Sequence, residues 1–334
     1  MITKISLLIL YQIFITLVII KISKKYYLLD YPHQRKMHDF PTPYTGGLIL
    51  SFVTLFIIFV SDFENNYLNQ ILSYGVLIML AGFIDDKYTL TPGVKILTQA
   101  IPIFFLIEQG LFLRDIGIYS YIGIIELGSF AKIFTFLCCM LIVNSFNYSD
   151  GMDGILALNA AISLLFMLLL VILFGSGEGI DFFIFLIISL ILFAFFNLNF
   201  LKGNKIFLGD SGSNLLGFIC SFSCVYLYNV EKIQPSLVIW IIAFFVYEFL
   251  CVNINRLIYS KKVFKPGRDH IHYILKDKLS VKNNNILLII CCFNMFFNFF
   301  GLIVNIFGNN NISIFFFIVF FILFFFLRNK IFSY

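Results

Sequence analysis

The chain has 334 residues, 60% of them hydrophobic and only 12% charged, with a formal net charge of +5. Soluble domains carry about 25% charged residues, so the composition excludes a chain with a water-facing surface on every side. The 45 Phe are gathered with Ile and Leu into long uncharged blocks, and blocks near 20 residues are read as membrane-spanning helices.

In chain order the apolar blocks fall at 5–20, 46–61, 70–84, 93–108, 130–146, 155–174, 181–198, 213–228, 235–254, 286–305 and 312–327. They predict an all-α integral membrane protein, a bundle of about eleven helices forming one domain over 1–334, without internal repeats. The first block is followed by Lys21, Ser23, Lys24 and Lys25, where a signal peptide would need a small-residue cleavage site; it is read as a retained span. The seven cysteines all lie in apolar blocks without ligand spacing and are read as neither disulfides nor metal ligands.

Eleven spans put the termini on opposite sides, and basic residues decide which is which. With the N-terminus outside, the inner segments hold nineteen Lys and Arg, and the outer ones keep four: Lys4, Arg114, Lys132 and Lys232. The C-terminus is therefore expected in the cytoplasm. The longest outer connection, 109–129, is expected to form a small hairpin or an interfacial helix.

Nearly all distinctive polar residues fall in the inner segments. The first stretch runs from Arg35 to Gly47, with Pro41, Pro43 and the pair Gly46-Gly47 fixing an irregular backbone. Its basic residues, Lys36 and His38 among them, are candidates to hold phosphate; a positive anchor beside a turn is the plain alternative. The third span ends in Asp85-Asp86-Lys87. Adjacent carboxylates at a helix C-terminus oppose the macrodipole, which suggests a cation or a proton relay rather than a solvated end. Lys95, at the start of the next span, can snorkel towards the phosphate layer.

The stretch 144–154 places Asn144, Asn147, Asp150 and Asp153 around Gly151 and Gly154 without a Lys or Arg. In a helical turn Asp150 and Asp153 would share a face. Such oxygen donors suggest a hard divalent cation or contacts to a nucleotide, against an ordinary polar turn. The stretch 202–214 adds Gly209, Asp210 and Ser213; glycine-rich backbone before a helix is a phosphate cradle in principle, and Asp210 adds a metal oxygen, although Ser213 also suits an ordinary N-cap. The long loop 255–285 contributes Arg268, His270 and His272, suited to gripping phosphates or moving protons. Glu248 lies within the ninth span, where a carboxylate is a functional suspect unless it pairs with Arg256 or another helix. Acids from separate loops meeting at one face look like a Mg²⁺ site, completed by substrate phosphates.

Five blocks in order, 35–47, 85–95, 144–154, 206–217 and 264–273, resemble those of the polyprenyl-phosphate N-acetylhexosamine-1-phosphate transferases, a group within glycosyltransferase family 4. The likeness covers roughly residues 30–275. It implies a multispan helical enzyme of the bacterial inner membrane, with its site on the cytoplasmic face. The implied reaction moves an N-acetylhexosamine 1-phosphate, GlcNAc-1-phosphate first, from a UDP-sugar to undecaprenyl phosphate with release of UMP. It would open O-antigen, teichoic acid or other envelope glycan synthesis. The implied cofactor is Mg²⁺, with Mn²⁺ as the alternative. The implied partners are the two substrates and the bilayer, with a homodimer admitted and no nucleic acid. By the resemblance, Asp85, Asp86, Asp150, Asp153 and His270 are catalytic. Asp210 and Asp150 hold metal, and Lys36, His38, Lys95, Asn144, Asn147, Gly209, Ser213, Arg268 and His272 bind substrate.

Two positions depart from the pattern: Tyr273 stands where another His is usual, and Glu248 where Asp is usual. Both bear on which sugar is taken, with FucNAc, QuiNAc and MurNAc-pentapeptide donors as alternatives. The peptide-accepting branch has a run of consecutive His that is absent here, which favours a simple amino sugar. A transporter would explain the spans and Glu248, but transporters bind at the midplane on broken helices, whereas these charges gather at one interface.

Overall fold

The computed structural model describes residues 1–32, 40–61, 63, 65–260 and 267–333. Lys36 and His38 lie outside the described residues. Backbone in lipid must satisfy its own hydrogen bonds, so long apolar runs become helices. In chain order these are α1 (Ile2–Lys25), α2 (Gly46–Val60), α3 (Asn66–Tyr88), α4 (Pro92–Glu108), α5 (Ala131–Ser149), α6 (Ile155–Phe174), α7 (Ile180–Asn197), α8 (Gly209–Asn229), α9 (Pro235–Val238), α10 (Ala243–Ile258), α11 (Ile271–Asp277), α12 (Asn283–Phe307) and α13 (Asn310–Ser333). A 3-10 turn over Ile239–Ile242 joins α9 to α10 into one helical segment. Two small hairpins complete the chain, β1 (Leu29–Asp30) with β2 (Thr42–Pro43), and β3 (Asp115–Tyr119) with β4 (Gly123–Glu126).

Each expected apolar block falls on one helical segment. Among the described residues, eight segments are long and apolar enough to cross a membrane: α1, α3, α5, α6, α7, α9–α10, α12 and α13. The 15-residue α2 and 17-residue α4 are shorter; at 1.5 Å per residue they rise about 22 and 26 Å, against about 30 Å of hydrocarbon. The 21-residue α8 is long enough but less apolar, because every residue from Ser211 to Leu227 is buried. It packs on α2, α3, α5 and α6, so it faces protein rather than lipid. Its small residues let backbones approach closely.

Segment 109–129 takes the first of its two expected forms, the antiparallel hairpin β3–β4, with Asp115 opposite Glu126 and Tyr119 opposite Gly123. The 255–285 segment is not all loop. Ile271, Ile274 and Leu275 are buried, and their i, i+3, i+4 spacing sets the inward face of α11. The bundle end opposite the carboxylates is tied by Glu231, whose carboxylate accepts the N–H groups of Ser176, Gly177 and Gly179 at 2.6, 3.2 and 3.0 Å.

Candidate active site at the ends of α3, α5 and α8

Three glycines bring the backbone of α2 and α3 onto the first turn of α8. A Cβ on Gly47 would stand 2.3 Å from the Gly212 nitrogen, and one on Gly82 would stand 2.6 Å from the Asp210 carbonyl oxygen. Gly46 and Gly47 donate their N–H groups to the carbonyls of Phe207 and Leu208, both at 2.9 Å. Gly209 opens α8 with φ +75°, and a Cβ there would meet the Tyr44 carbonyl at 2.6 Å and Asp86 Oδ2 at 2.7 Å. Only glycine fits that close approach and left-handed backbone.

This approach carries the α3 C-terminus to the α8 N-terminus. Asp86 Oδ1 and Oδ2 accept the N–H groups of Asp210 and Ser211, at 2.8 and 3.0 Å. A carboxylate that opposes its own helix dipole therefore satisfies the positive end of another. The expectation of a phosphate cradle at 209–213 is corrected on this point: Asp86 already occupies those amides. Nor is Ser213 an N-cap, because α8 starts four residues earlier; its hydroxyl donates to the Asp210 carbonyl at 3.2 Å.

Lys95 reaches between two helices, with Nζ 2.9 Å from Asp85 Oδ2 and 2.5 Å from Asp210 Oδ2. Asp85 Oδ1 also accepts the Leu90 N–H at 2.7 Å, which closes the α3–α4 turn. Asn147 donates to Asp210 Oδ1 and to Ser213 Oγ, each at 2.9 Å. Asp210 thus has a partner on each oxygen, yet its side chain stays 37% exposed. Asn144 does not reach Asp210. It donates to Gln99 Oε1 at 3.3 Å, and Gln99 donates to Asn214 at 3.0 Å, a brace between α4, α5 and α8.

The 150–154 turn is not a helical face. Asp150 ends α5, and Gly154 has φ +76°. The expectation that this turn lacks a positive partner is also corrected: Lys205 Nζ lies 2.6 Å from Asp153 Oδ2. Among the described residues, Asp150 is the carboxylate left without one. Burial, then repulsion from Asp210, Asp86 and Asp153, pushes its carboxyl well above the usual range, and no cation among the described residues offsets them.

His270 and His272 stand beside this turn, their rings parallel with centroids 5.6 Å apart. Burial is the main reason both titrate low, His270 at about 4 and His272 well below the usual value. With both lowered, the uncharged imidazole is the form expected at pH 7, able to donate or accept a hydrogen bond. Among the described residues, His270 Nδ1 and His272 Nε2 have no hydrogen-bond partner. A Cβ on Gly151 would come within 1.9 Å of His272 Nε2, so the ring lies flush against the turn. Arg268 forks onto Asp277 at 2.9 and 3.0 Å and lies over the Tyr273 ring.

Glu248 does not pair with Arg256. It meets Arg328 of α13 at 3.0 Å, both side chains 2% exposed, and accepts the Ile271 N–H at 2.8 Å. Sequence reasoning passed over Arg328, Lys205, Gln99 and Asn197. Asn197 accepts the Gly154 N–H at 2.5 Å and donates to the Ile206 carbonyl at 2.8 Å, tying the acidic turn to the α8 approach. Gln99, Asn197 and Arg328 carried a usable signal, as polar residues inside or at the edge of apolar spans.

The donor set suits a cation shared with substrate. Among the described residues no three acidic or histidine side chains close on one point, so the protein alone offers no cage. Mg²⁺ commonly takes one or two carboxylates and completes its shell with phosphate oxygens and water. Partly exposed Asp210, Asp150 without a cation beside it among the described residues, and the Lys95 cation already seated between Asp85 and Asp210 fit that pattern. A cavity of about 560 Å³ opens beside Asp86, lined by Tyr26, Tyr27, Leu28, Leu29, Tyr44, Phe83 and Lys87. A second, of about 420 Å³ between Tyr67, Arg114 and Tyr228, touches none of the motif residues.

Residues 68–228 match the family described as glycosyl transferase family 4. The chain is 28% identical over 261 residues to an undecaprenyl-phosphate alpha-N-acetylglucosaminyl 1-phosphate transferase of Yersinia pestis, covering 76% of this chain and 71% of the relative. Its counterpart in Escherichia coli K12 is 27% identical with the same coverage. A probable undecaprenyl-phosphate N-acetylglucosaminyl 1-phosphate transferase of Bacillus subtilis is 28% identical over 264 residues, covering 78% and 73%. The segment 68–228 carries Asp85, Asp86, Asp150, Asp153 and Asp210, while the 35–47 stretch and the histidine loop lie outside it.

Proposed function

We propose that this chain is a phosphotransferase of envelope glycan synthesis. It moves an N-acetylhexosamine 1-phosphate, GlcNAc-1-phosphate first, from a UDP-sugar to undecaprenyl phosphate and releases UMP. The observation that carries the reading is the joining of α3, α4, α5 and α8 through Asp210, which meets Asp86 at its backbone and Lys95 and Asn147 at its carboxylate. The names of the relatives support the acceptor and the sugar. In the same reading the chain crosses the bacterial inner membrane eleven times, N-terminus outside, with the site at the cytoplasmic face. The charge asymmetry supports that orientation, and the match of each of the eleven apolar blocks to one helical segment supports the count.

In the reaction an oxygen of the lipid phosphate attacks the sugar-bearing phosphorus of the UDP-sugar. A new P–O bond forms, the bond to the bridging oxygen breaks, and UMP carries away the electron pair. When bound to Asp210 and Asp150, Mg²⁺ would offset phosphate charge and help orient the groups in line. Lys95 places a further positive charge between Asp85 and Asp210. Asn147 fixes the orientation of the Asp210 carboxylate. His270 and His272, neutral and with ring nitrogens unpaired, are set to donate to or accept from the sugar nucleotide. Both oxygens of Asp86 are engaged by the α8 amides, which supports direct attack by the lipid phosphate over a covalent aspartyl intermediate at that residue. The cavity beside Asp86, aromatic on its walls with Lys87 among its lining, suits the phosphate end of a lipid.

The test is purified protein with Mg²⁺, undecaprenyl phosphate and a panel of UDP-N-acetyl sugars, measuring UMP. Wild-type chain should release UMP with UDP-GlcNAc, and Asp210→Asn should release none above background. Full transfer by Asp210→Asn would reject the role given to that carboxylate.

A further inference from the structure

The last helix, α13, carries a buried arginine that the reaction as described does not use. Arg328 Nε donates to Glu248 Oε2 at 3.0 Å and Nη2 to Oε1 at 3.4 Å. Its Nη2 also donates to the backbone carbonyl of Asp269. Glu248 Oε1 in turn accepts the N–H of Ile271 at 2.8 Å. Arg256 of α10 forks onto the Asp269 carboxylate at 2.8 and 2.7 Å. Residues 269–271 are therefore held at three consecutive points: a carboxylate, a carbonyl and an amide.

His270 lies inside that span and His272 directly after it. The two ring nitrogens without partners are buried, so no side-chain hydrogen bond at those atoms sets where they point. Their surroundings are the backbone clamp, the edge-on Tyr148 ring 5.1 Å from His270, and the packing of His272 on Gly151. A buried ion pair is expensive to desolvate and adds little stability by itself. This one directs its remaining hydrogen bonds to the main chain on either side of His270.

We propose that Arg328, acting through Glu248 and the Asp269 carbonyl, is a positioning residue that sets His270 and His272 against the 150–153 turn. The last helix thereby becomes part of the active-site framework, although none of its described side chains touches the carboxylate cluster. The effect on turnover rests on the transferase reading above; the effect on the loop does not.

The test uses full-length protein and three variants: Arg328→Lys, the neutral pair Glu248→Gln/Arg328→Gln, and Glu231→Gln as a knot-breaking control at the opposite end of the bundle. Lys keeps the buried charge balanced but lacks the planar fork that serves two acceptors at once. The neutral pair leaves no uncompensated charge, so the fold survives even where Arg328→Gln alone would not. Two readouts are taken: the rate of diethylpyrocarbonate modification at His270 and His272 by peptide mass spectrometry, and kcat and KM for the sugar nucleotide. Both clamp variants should raise the modification rate about tenfold and lower kcat about tenfold, with KM for the sugar nucleotide within threefold. Glu231→Gln should lower the melting temperature and leave the modification rate unchanged. Wild-type modification rates in both clamp variants would overturn the proposal, whatever their activity. A rise in Glu231→Gln equal to theirs would overturn it too, because general loosening would then explain the effect. If wild-type protein releases no UMP, the transferase reading fails, while the modification rates still decide the clamp.

Discussion

Replacing Gly82 by Ala puts a methyl group where α3 meets the first turn of α8. The added carbon would stand 2.6 Å from the Asp210 carbonyl oxygen, 2.6 Å from Ser211 Cα and 2.7 Å from the Ser211 nitrogen. All three are backbone atoms, so no side chain can swing aside. Carbon contacts relax only near 3.5 Å, so the helices must part by about 1 Å. The hydrogen bonds from Asp210 and Ser211 to Asp86, now 2.8 and 3.0 Å, would then pass beyond bonding range. Overpacking alone costs about 1–3 kcal/mol, and each charge-assisted bond lost adds about 1.5–3 kcal/mol. Allowing for partial relaxation, a destabilisation of about 4 kcal/mol is expected, a large share of the roughly 5–15 kcal/mol that holds a folded domain. UMP release should fall at least a hundredfold, because Asp210 moves with the turn. The matched control is Gly93→Ala, where a Cβ meets nothing within 4 Å and a change within about 0.5 kcal/mol is expected. Melting temperature in detergent and initial rates of UMP release measure both. Gly82→Ala with a melting temperature and rate equal to those of Gly93→Ala would refute the claim that close approach of α3 and α8 builds the site.

The buried histidines give the fold an acid limit. His270 titrates at about 4 in the folded chain against 6.5 ordinarily, so between those values the unfolded chain binds more protons and stability rises with pH. The contribution is complete above about pH 6.5 and is lost as pH falls towards 4; at 1.36 kcal/mol per unit it is at most about 3 kcal/mol. Melting curves at pH 7.5 and 5 should show this loss, and His270→Gln should flatten it; an unchanged slope in the variant would exclude the histidine as its source. Asp150 shifts the other way, its carboxyl raised well above the usual range, so protons compete with a cation there. Chelating Mg²⁺ should stop UMP release without unfolding the chain, and apparent Mg²⁺ affinity should weaken as pH falls. An affinity independent of pH would argue against Asp150 as a ligand.

Which helices form was readable because apolar blocks of membrane length have few alternatives. What surrounds each helix was not readable from hydropathy alone. Burial of α8 by protein on every side explains why it is less apolar than its neighbours, yet its Ser, Gly and Cys content could equally have marked a weak span. The short α11 was missed because its three apolar contacts, Ile271, Ile274 and Leu275, are too few to stand out in a polar loop.

The site shows the same division between residue identity and residue partner. Asp85, Asp86, Asp150, Asn147 and Asp210 could be picked out locally, since clustered acids and amides at helix ends are costly unless used. Their pairings join residues far apart in the chain: Lys95 with Asp210, Lys205 with Asp153, Asp86 with the α8 amides. Local charge counting therefore misjudged the 144–154 turn as wholly uncompensated, when Lys205 arrives from the loop before α8. What survives the correction is narrower and chemically sharper. Of the acids in the cluster, Asp150 alone lacks both an ion-pair partner and a helix end to cap among the described residues, and His272 packs on the neighbouring Gly151. A cation and a phosphate group arriving together would relieve the repulsion there and meet the two empty ring nitrogens in one step, which is why the substrate rather than the protein is expected to complete the site.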